Sequence, residues 1–183
     1  TISDEIFHIS YTSKYESGFR GTVEDNIANT LKTFDESRGL WRLFSLKREF
    51  PNAFHKLLDT SSATQSTELS ISQQHFPYFL TGTELALLRD TTVYIKPINN
   101  QSISTEGLNL KIYNEKSEEI WGEIKDWNNF NEAEISDNLL VGGVELTGDP
   151  IMKWKIEVSG NSLSREILDD LLILIKYTAT QKG

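Results

Sequence analysis

Three histidines, four tryptophans and a few adjacent acidic pairs are the residues of this chain with chemistry to offer a reaction or a ligand. His8, His55 and His75 contain no i, i+4 pair and no His-Glu-x-x-His arrangement, so the ligand spacing of a zinc hydrolase is missing. His8 falls in an expected strand and His55 in an expected short helix, which makes both packing or surface residues. Adjacent acidic pairs include Asp35-Glu36, Glu118-Glu119 and Asp169-Asp170. Glycoside hydrolysis needs two carboxyl groups facing each other across a cleft, whereas neighbours along a strand point to opposite faces. The pairs therefore read as solvated acids or helix ends. Asp169 and Asp170 are expected to guard the apolar segment after them against edge-to-edge pairing. No nucleophile elbow, phosphate-binding loop or dinucleotide fingerprint occurs. The Gly142-Gly143 pair is expected to mark a bulge or turn. Without cysteine there is no disulfide and no thiolate chemistry. The chain is read as non-catalytic, with no metal and no cofactor.

The tryptophans are the remaining binding candidates. Trp121 and Trp127 are six positions apart, so in an unbroken strand they share a face. Exposed, that face would be a platform for a sugar or an anchor for a peptide. Buried, it would be core, which is the commoner outcome in a sandwich. Trp154 alternates with Ile156 and is expected in the core. Trp41, beside Leu43 and Phe44, is expected to pack the N-terminal helices onto the main domain.

The elements that must position these residues follow from periodicity. Ile6–Thr12 reads as a strand. Val23, Ile27, Leu31 and Phe34 form one helical stripe that ends near Gly39. Leu40–Phe50 is open between strand and helix. Pro51 then suits the first position of a second short helix with Phe54, Leu57 and Leu58 on its apolar face. The polar run Asp59–Ser66 is the best internal boundary, giving residues 1–60 as a strand plus two short helices packed on a main domain, residues 61–183. Beyond it the period becomes two. Thr67, Leu69 and Ile71, then Leu108, Leu110 and Ile112, then Met152, Trp154, Ile156 and Val158 each alternate with polar neighbours. Further strands are expected over 91–98, 119–127 and 139–146, and Leu168–Thr180 is apolar enough to be covered on both faces. The fold class is mainly β, a β-sandwich of about seven to eight strands. Asp4–Thr12 can be laid over Asp170–Thr178 with Asp, Ile, Tyr and Thr coinciding, the pattern of a piece cut from a tandem β architecture.

Charge narrows the partners. The formal net charge is −9, and residues 61–183 hold eighteen of the 27 acidic side chains and ten of the 18 basic ones. A basic footprint for nucleic acid is absent. No apolar run approaches the ~20 residues of a transmembrane helix. The chain starts at Thr1, as expected of a processed product or a piece of a longer protein.

Met152-Lys-Trp-Lys-Ile-Glu-Val158, then Asp169–Ala179 and Gly183, resembles the extreme C-terminus of Tc toxin A subunits, where a Trp-containing strand precedes an Asp-rich link and a last strand ending Tyr-Thr-Ala. Lys176 stands where the family usually has Arg. Gly39–Pro51 with Phe54-His55, and His75-Phe-Pro-Tyr-Phe79, resemble segments of larger relatives. The resemblance covers about a quarter of the chain and implies a β-sandwich module of a large, secreted bacterial toxin. There the implied role is protein–protein interaction, docking a partner toxin subunit through a TcB-binding surface. No family contact residue maps onto a position here. Two alternatives stand beside it. One is a carbohydrate- or receptor-binding sandwich that uses Trp121 and Trp127 on a host glycan or receptor. The other is a structural or cargo domain of a secretion-related particle, with oligomers formed inside the larger assembly.

Overall fold

Alternating apolar residues bury one face when two sheets stack, and that is the arrangement a computed structural model of the chain displays. It describes residues 39–115, 119–130 and 138–181, all of which fall in one compact unit spanning residues 34–183. The expected strand Ile6–Thr12 and the helix ending near Gly39 lie outside the described residues.

The described chain runs β1 (Leu40–Ser45), α1 (Leu46–Glu49), α2 (Pro51–Leu57), β2 (Thr64–Ser70), β3 (Thr83–Pro97), β4 (Asn109–Asn114), β5 (Ile120–Ile124), β6 (Asn128–Asn129), β7 (Leu140–Gly148), β8 (Lys153–Ser159) and β9 (Leu168–Gln181). One sheet has the order β1-β9-β3-β7-β6 and the other β2-β8-β4-β5, with every pairing antiparallel. The fold is mainly β, a β-sandwich, as the alternation predicts. The ambiguous segment after Gly39 resolves as both possibilities in turn, a strand and then a helical turn. Pro51 opens α2, and Phe54, Leu57 and Leu58 are buried.

The core lies between the sheets. Phe44 of β1, Val93 and Ile95 of β3, and Leu171, Ile173, Ile175 and Tyr177 of β9 come from one sheet. Leu69, Leu110, Ile112, Trp154, Ile156 and Val158 face them from the other. Each such side chain stabilises the fold by ~1.5–3 kcal/mol relative to exposure. Gln65 belongs to this core although its segment reads as a polar boundary. Its amide donates to Leu57 O (2.7 Å) and Leu163 O (2.9 Å) and accepts from Leu163 N (2.8 Å), so its polar atoms are satisfied where they are buried.

Four expectations change. The final strand is not covered on both faces: Leu171, Ile173, Ile175, Tyr177 and Ala179 are buried, while Leu172, Leu174, Lys176 and Thr178 on the other face are half covered. Asp170 guards no edge, because β9 lies inside its sheet between β1 and β3. Its carboxylate, on a residue only 7% exposed, instead accepts from Ser45 Oγ (2.5 Å) and Lys47 N (3.0 Å) and so clasps the start of α1. Among the described residues Trp41 stands on the outer face of β1 rather than between a helix and the sheet. It is 52% exposed, with Lys176 Nζ 5.4 Å above its ring.

The fourth change concerns Gly142-Gly143, which lies inside β7 in unbroken register with β3 rather than at a bulge or turn. Gly142 faces the core, where a Cβ would stand 2.3 Å from Ile124 Cγ2 and 3.1 Å from the Trp127 ring. Gly122 on β5 is its counterpart, with Val144 and Leu146 side chains 2.5 and 2.6 Å from the place of its absent Cβ. These two glycines let β5 and β7 approach across the open side of the sandwich. Gly142→Ala is therefore expected to destabilise the domain by about 1–3 kcal/mol through overpacking. Gly143→Ala, which meets nothing within 4 Å, should leave stability unchanged or slightly raised. Urea unfolding midpoints of the two variants test the contrast.

Candidate functional site

The sandwich presents two outer faces of different chemistry. On the four-stranded sheet, the alternation that buries Leu69, Ile112 and Ile156 turns the residues between them to solvent. Register aligns them in rows: Glu68 of β2, Lys155 of β8 and Tyr113 of β4 form one, and Ser66, Glu157, Lys111 and Glu123 the next. Opposite charges sit side by side both across strands and along β8, which stabilises a solvated sheet face. Lys111 Nζ lies 3.8 Å from Glu123 Oε1, and Lys155 Nζ lies 2.7 Å from Glu157 Oε1.

At the end of this face near the β4–β5 turn, the rows open into a cleft of about 530 Å³, within the usual size range of small-ligand sites. Its lining includes Glu68, Tyr113, Glu115, Lys153, Lys155 and Glu157. The centre is a linked triad. Tyr113 Oη donates to Glu157 Oε2 (2.9 Å), Lys155 pairs with the other carboxylate oxygen, and Lys155 Nζ stands 5.3 Å above the Tyr113 ring. The Lys155 ammonium, and then the Tyr113 hydroxyl, hold the Glu157 carboxyl below the ordinary glutamate range. Burial and the hydrogen bond to Glu157 raise the Tyr113 phenol above its ordinary value. Glu157 is thus anionic and Tyr113 neutral at pH 7. Glu68 and Lys153 flank the triad, and neither side chain has a hydrogen-bond or ion-pair partner among the described residues.

Trp121 and Trp127 do not share a face. β5 ends at Ile124, before Trp127, and the register between β4 and β5 shifts at Trp121, between Ile112↔Gly122 and Tyr113↔Ile120. Trp127 is 9% exposed, with Nε1 donating to Leu108 O at 3.1 Å. Trp121 is half-buried, donates from Nε1 to Thr147 O at 3.1 Å and packs edge-on against buried Trp154 at 5.0 Å. Both close the open side of the sandwich rather than form one platform. Alternation across the register shift misleads, and no local signal in Trp121-Gly122 announces it.

Of the histidines, His75 takes part in a turn, where its Nδ1 accepts from Ser72 N at 3.0 Å and its ring stacks on Phe50 at 4.9 Å. His55 is exposed on α2, and His8 lies outside the described residues. Among the described residues no three His, Asp or Glu side chains converge as a metal site. The pair Asp169-Asp170 separates in role: Asp170 clasps α1, while Asp169 pairs with Lys47 and Lys96.

The other outer face belongs to the five-stranded sheet. There β1 carries Trp41 and Leu43, 52% and 45% exposed, and Leu43 stands opposite half-covered Leu174 of β9. Among the described strands β1 forms the edge of its sheet, and that edge is partly closed by its own side chains. Arg42 Nη1 donates to Leu43 O (2.7 Å), Ser45 N donates to Glu49 Oε1 (3.0 Å), and the Arg42 and Glu49 side chains pair with each other.

Comparison of the chain with protein-family models, with curated proteins and with solved structures finds no significant match.

A depressed carboxyl contributes stability that is present above its ordinary range and is lost as pH falls through its folded value. Glu157 and Asp169 both lie on that side. The urea midpoint is expected to stay level above about pH 5 and to fall progressively below the ordinary carboxylate range near ~4. Glu157→Gln should shallow that fall, and a wild-type slope in the variant would show that the triad adds nothing to stability.

Proposed function

We propose that this domain is a non-catalytic protein–protein interaction module of a larger secreted bacterial assembly of the Tc-toxin type, contacting a partner subunit through the outer face of its five-stranded sheet. The observation that carries the reading is the exposure of Trp41 and Leu43 on β1, a strand whose sequence lies in one of the segments that resemble larger toxin relatives. Tryptophan is among the residue types that dominate binding energy when desolvated at the centre of a contact. Strand addition at the β1 edge is the weaker route, because the Arg42–Glu49 pair and its backbone hydrogen bonds occupy positions an incoming strand would need. Docking by the face leaves that device intact.

The test is direct binding of the purified chain to a cocoon-type subunit from the same source, by surface plasmon resonance. Trp41→Ala combined with Leu43→Ser is expected to weaken binding at least ~30-fold, the loss of one hot-spot anchor of ~2 kcal/mol, with an unchanged urea midpoint. A wild-type chain that does not bind the subunit, or a double variant that binds as well as wild type, removes this reading.

A further inference from the structure

The cleft on the four-stranded sheet lies on the opposite outer face from Trp41 and Leu43, and the proposed docking makes no use of it. Its shape and its chemistry both point to a ligand. The volume of about 530 Å³ suits a small molecule or the end of a chain, and its groups stand on β2, β4 and β8, whose backbones are fixed by continuous antiparallel pairing. Adjacent strands lie ~4.8 Å apart, so each successive strand offers a new hydrogen-bonding group about one sugar ring further across the sheet.

Charge decides the class of ligand. Glu68, Glu115 and Glu157 face Lys153 and Lys155, so a strongly cationic or strongly anionic ligand meets repulsion as well as attraction. The central charges already satisfy one another, through Lys155–Glu157 at 2.7 Å and Tyr113–Glu157 at 2.9 Å. That leaves an acceptor, the Glu68 carboxylate, and a donor, the Lys153 ammonium, uncommitted among the described residues beside the triad. A hydroxyl both donates and accepts, so neighbouring hydroxyls on one ring can give to Glu68 and take from Lys153 as charge-assisted hydrogen bonds. Such a ligand brings no charge of its own to be desolvated. A zwitterion would instead form open, solvent-exposed ion pairs, each of little net value. We propose that this cleft binds a neutral saccharide, held by Glu68 and Lys153 around the Tyr113–Glu157–Lys155 triad.

The experiment uses the whole chain on an array of neutral plant, animal and bacterial oligosaccharides, followed by calorimetric titration of the best-retained oligosaccharide at 0.15 and 1 M NaCl (ionic strengths with Debye lengths of about 8 and 3 Å). A tetrapeptide carrying free termini is titrated beside it. At least one neutral oligosaccharide is expected to bind with affinity little changed by salt. Glu68→Ala and Lys153→Ala, both surface substitutions, should each weaken it tenfold or more without moving the urea midpoint. Trp41→Ala should leave saccharide binding unchanged, and Glu68→Ala should leave partner-subunit binding unchanged, so failure of one proposal is distinct from failure of the other. Absence of any retained neutral oligosaccharide overturns the assignment. So does saccharide binding indifferent to both substitutions, and so does binding of the tetrapeptide alone that disappears at high salt.

Discussion

Antiparallel pairing of β9 on both its edges governs the rest of this architecture, because this strand, last of those described in chain order, joins β1 to the larger sheet. β9 pairs with β1 along one side and with β3 along the other, and it sends Leu171, Ile173, Ile175 and Tyr177 into the core. Without it, β1 has no partner among the described strands. The clasp on α1 has the same dependence, since Ser45 and Asp170 are separated by 125 residues. Loop closure of that span must be met before any of these contacts repays it, which places this fold among the slower, non-local topologies. The helical turn after β1 is therefore a consequence of β9 as much as of its own residues. Ser45 caps it locally by accepting from Arg48 N, and Asp170 holds it from across the sheet.

A second constraint acts on the other side of the sandwich. Where β5 and β7 meet, Gly122 and Gly142 remove the two side chains that would hold the sheets apart, and Ile124, Val144, Leu146 and Trp127 fill the space. The tryptophans then close the seam with their indole N–H groups bonded to backbone carbonyls, the arrangement a half-apolar, half-polar ring requires when it is buried. Trp121 and Trp127 are thus engaged in packing, and the exposed candidates for binding lie on the outer faces. Those faces differ because the two sheets differ in what lies between their core residues. In β2, β4 and β8 the intervening residues are mostly charged or hydroxyl-bearing, whereas β1 and β9 place Trp41, Leu43, Leu172 and Leu174 there.

The strands with strict alternation and no irregularity, β2, β4 and β8, were legible from sequence because period two is the signature of a sheet with one buried face. What escaped that reading has particular causes. β3 extends back to Thr83 through a register irregularity between Leu87 and Thr91, where Arg89 takes a positive φ of 55° and the alternation breaks. The shift at Trp121 broke the face-sharing argument in the same way. Gln65 and Asp170 are buried polar residues whose partners lie far along the chain, and no local pattern can show them. Glycines are ambiguous between a turn and a close approach until the opposing strand is known. The cleft was equally hidden, since Glu68, Tyr113 and Lys155 become neighbours only through register.

Three of the segments singled out in the sequence, Gly39–Pro51, His75–Phe79 and Asp169–Ala179, are dispersed along the chain but adjoin in space. Leu40–Ser45 pairs with Leu172–Tyr177, Arg42 Nε donates to His75 O, and Phe76 packs edge-on against Tyr177. Short matches from three parts of the chain thus meet around one end of one sheet, as pieces of a single structural unit must. That coherence bears on fold and leaves function to the surfaces, because a sandwich of this kind hosts many activities and its sites are what distinguish them. The two surfaces with distinctive chemistry face away from each other across the core. The proposed protein contact at Trp41 and Leu43 would therefore leave the cleft at Tyr113 and Glu157 open, since the two lie on different sheets. On the proposed reading, the domain would be fastened to a partner on one face while the other stays free for the proposed ligand.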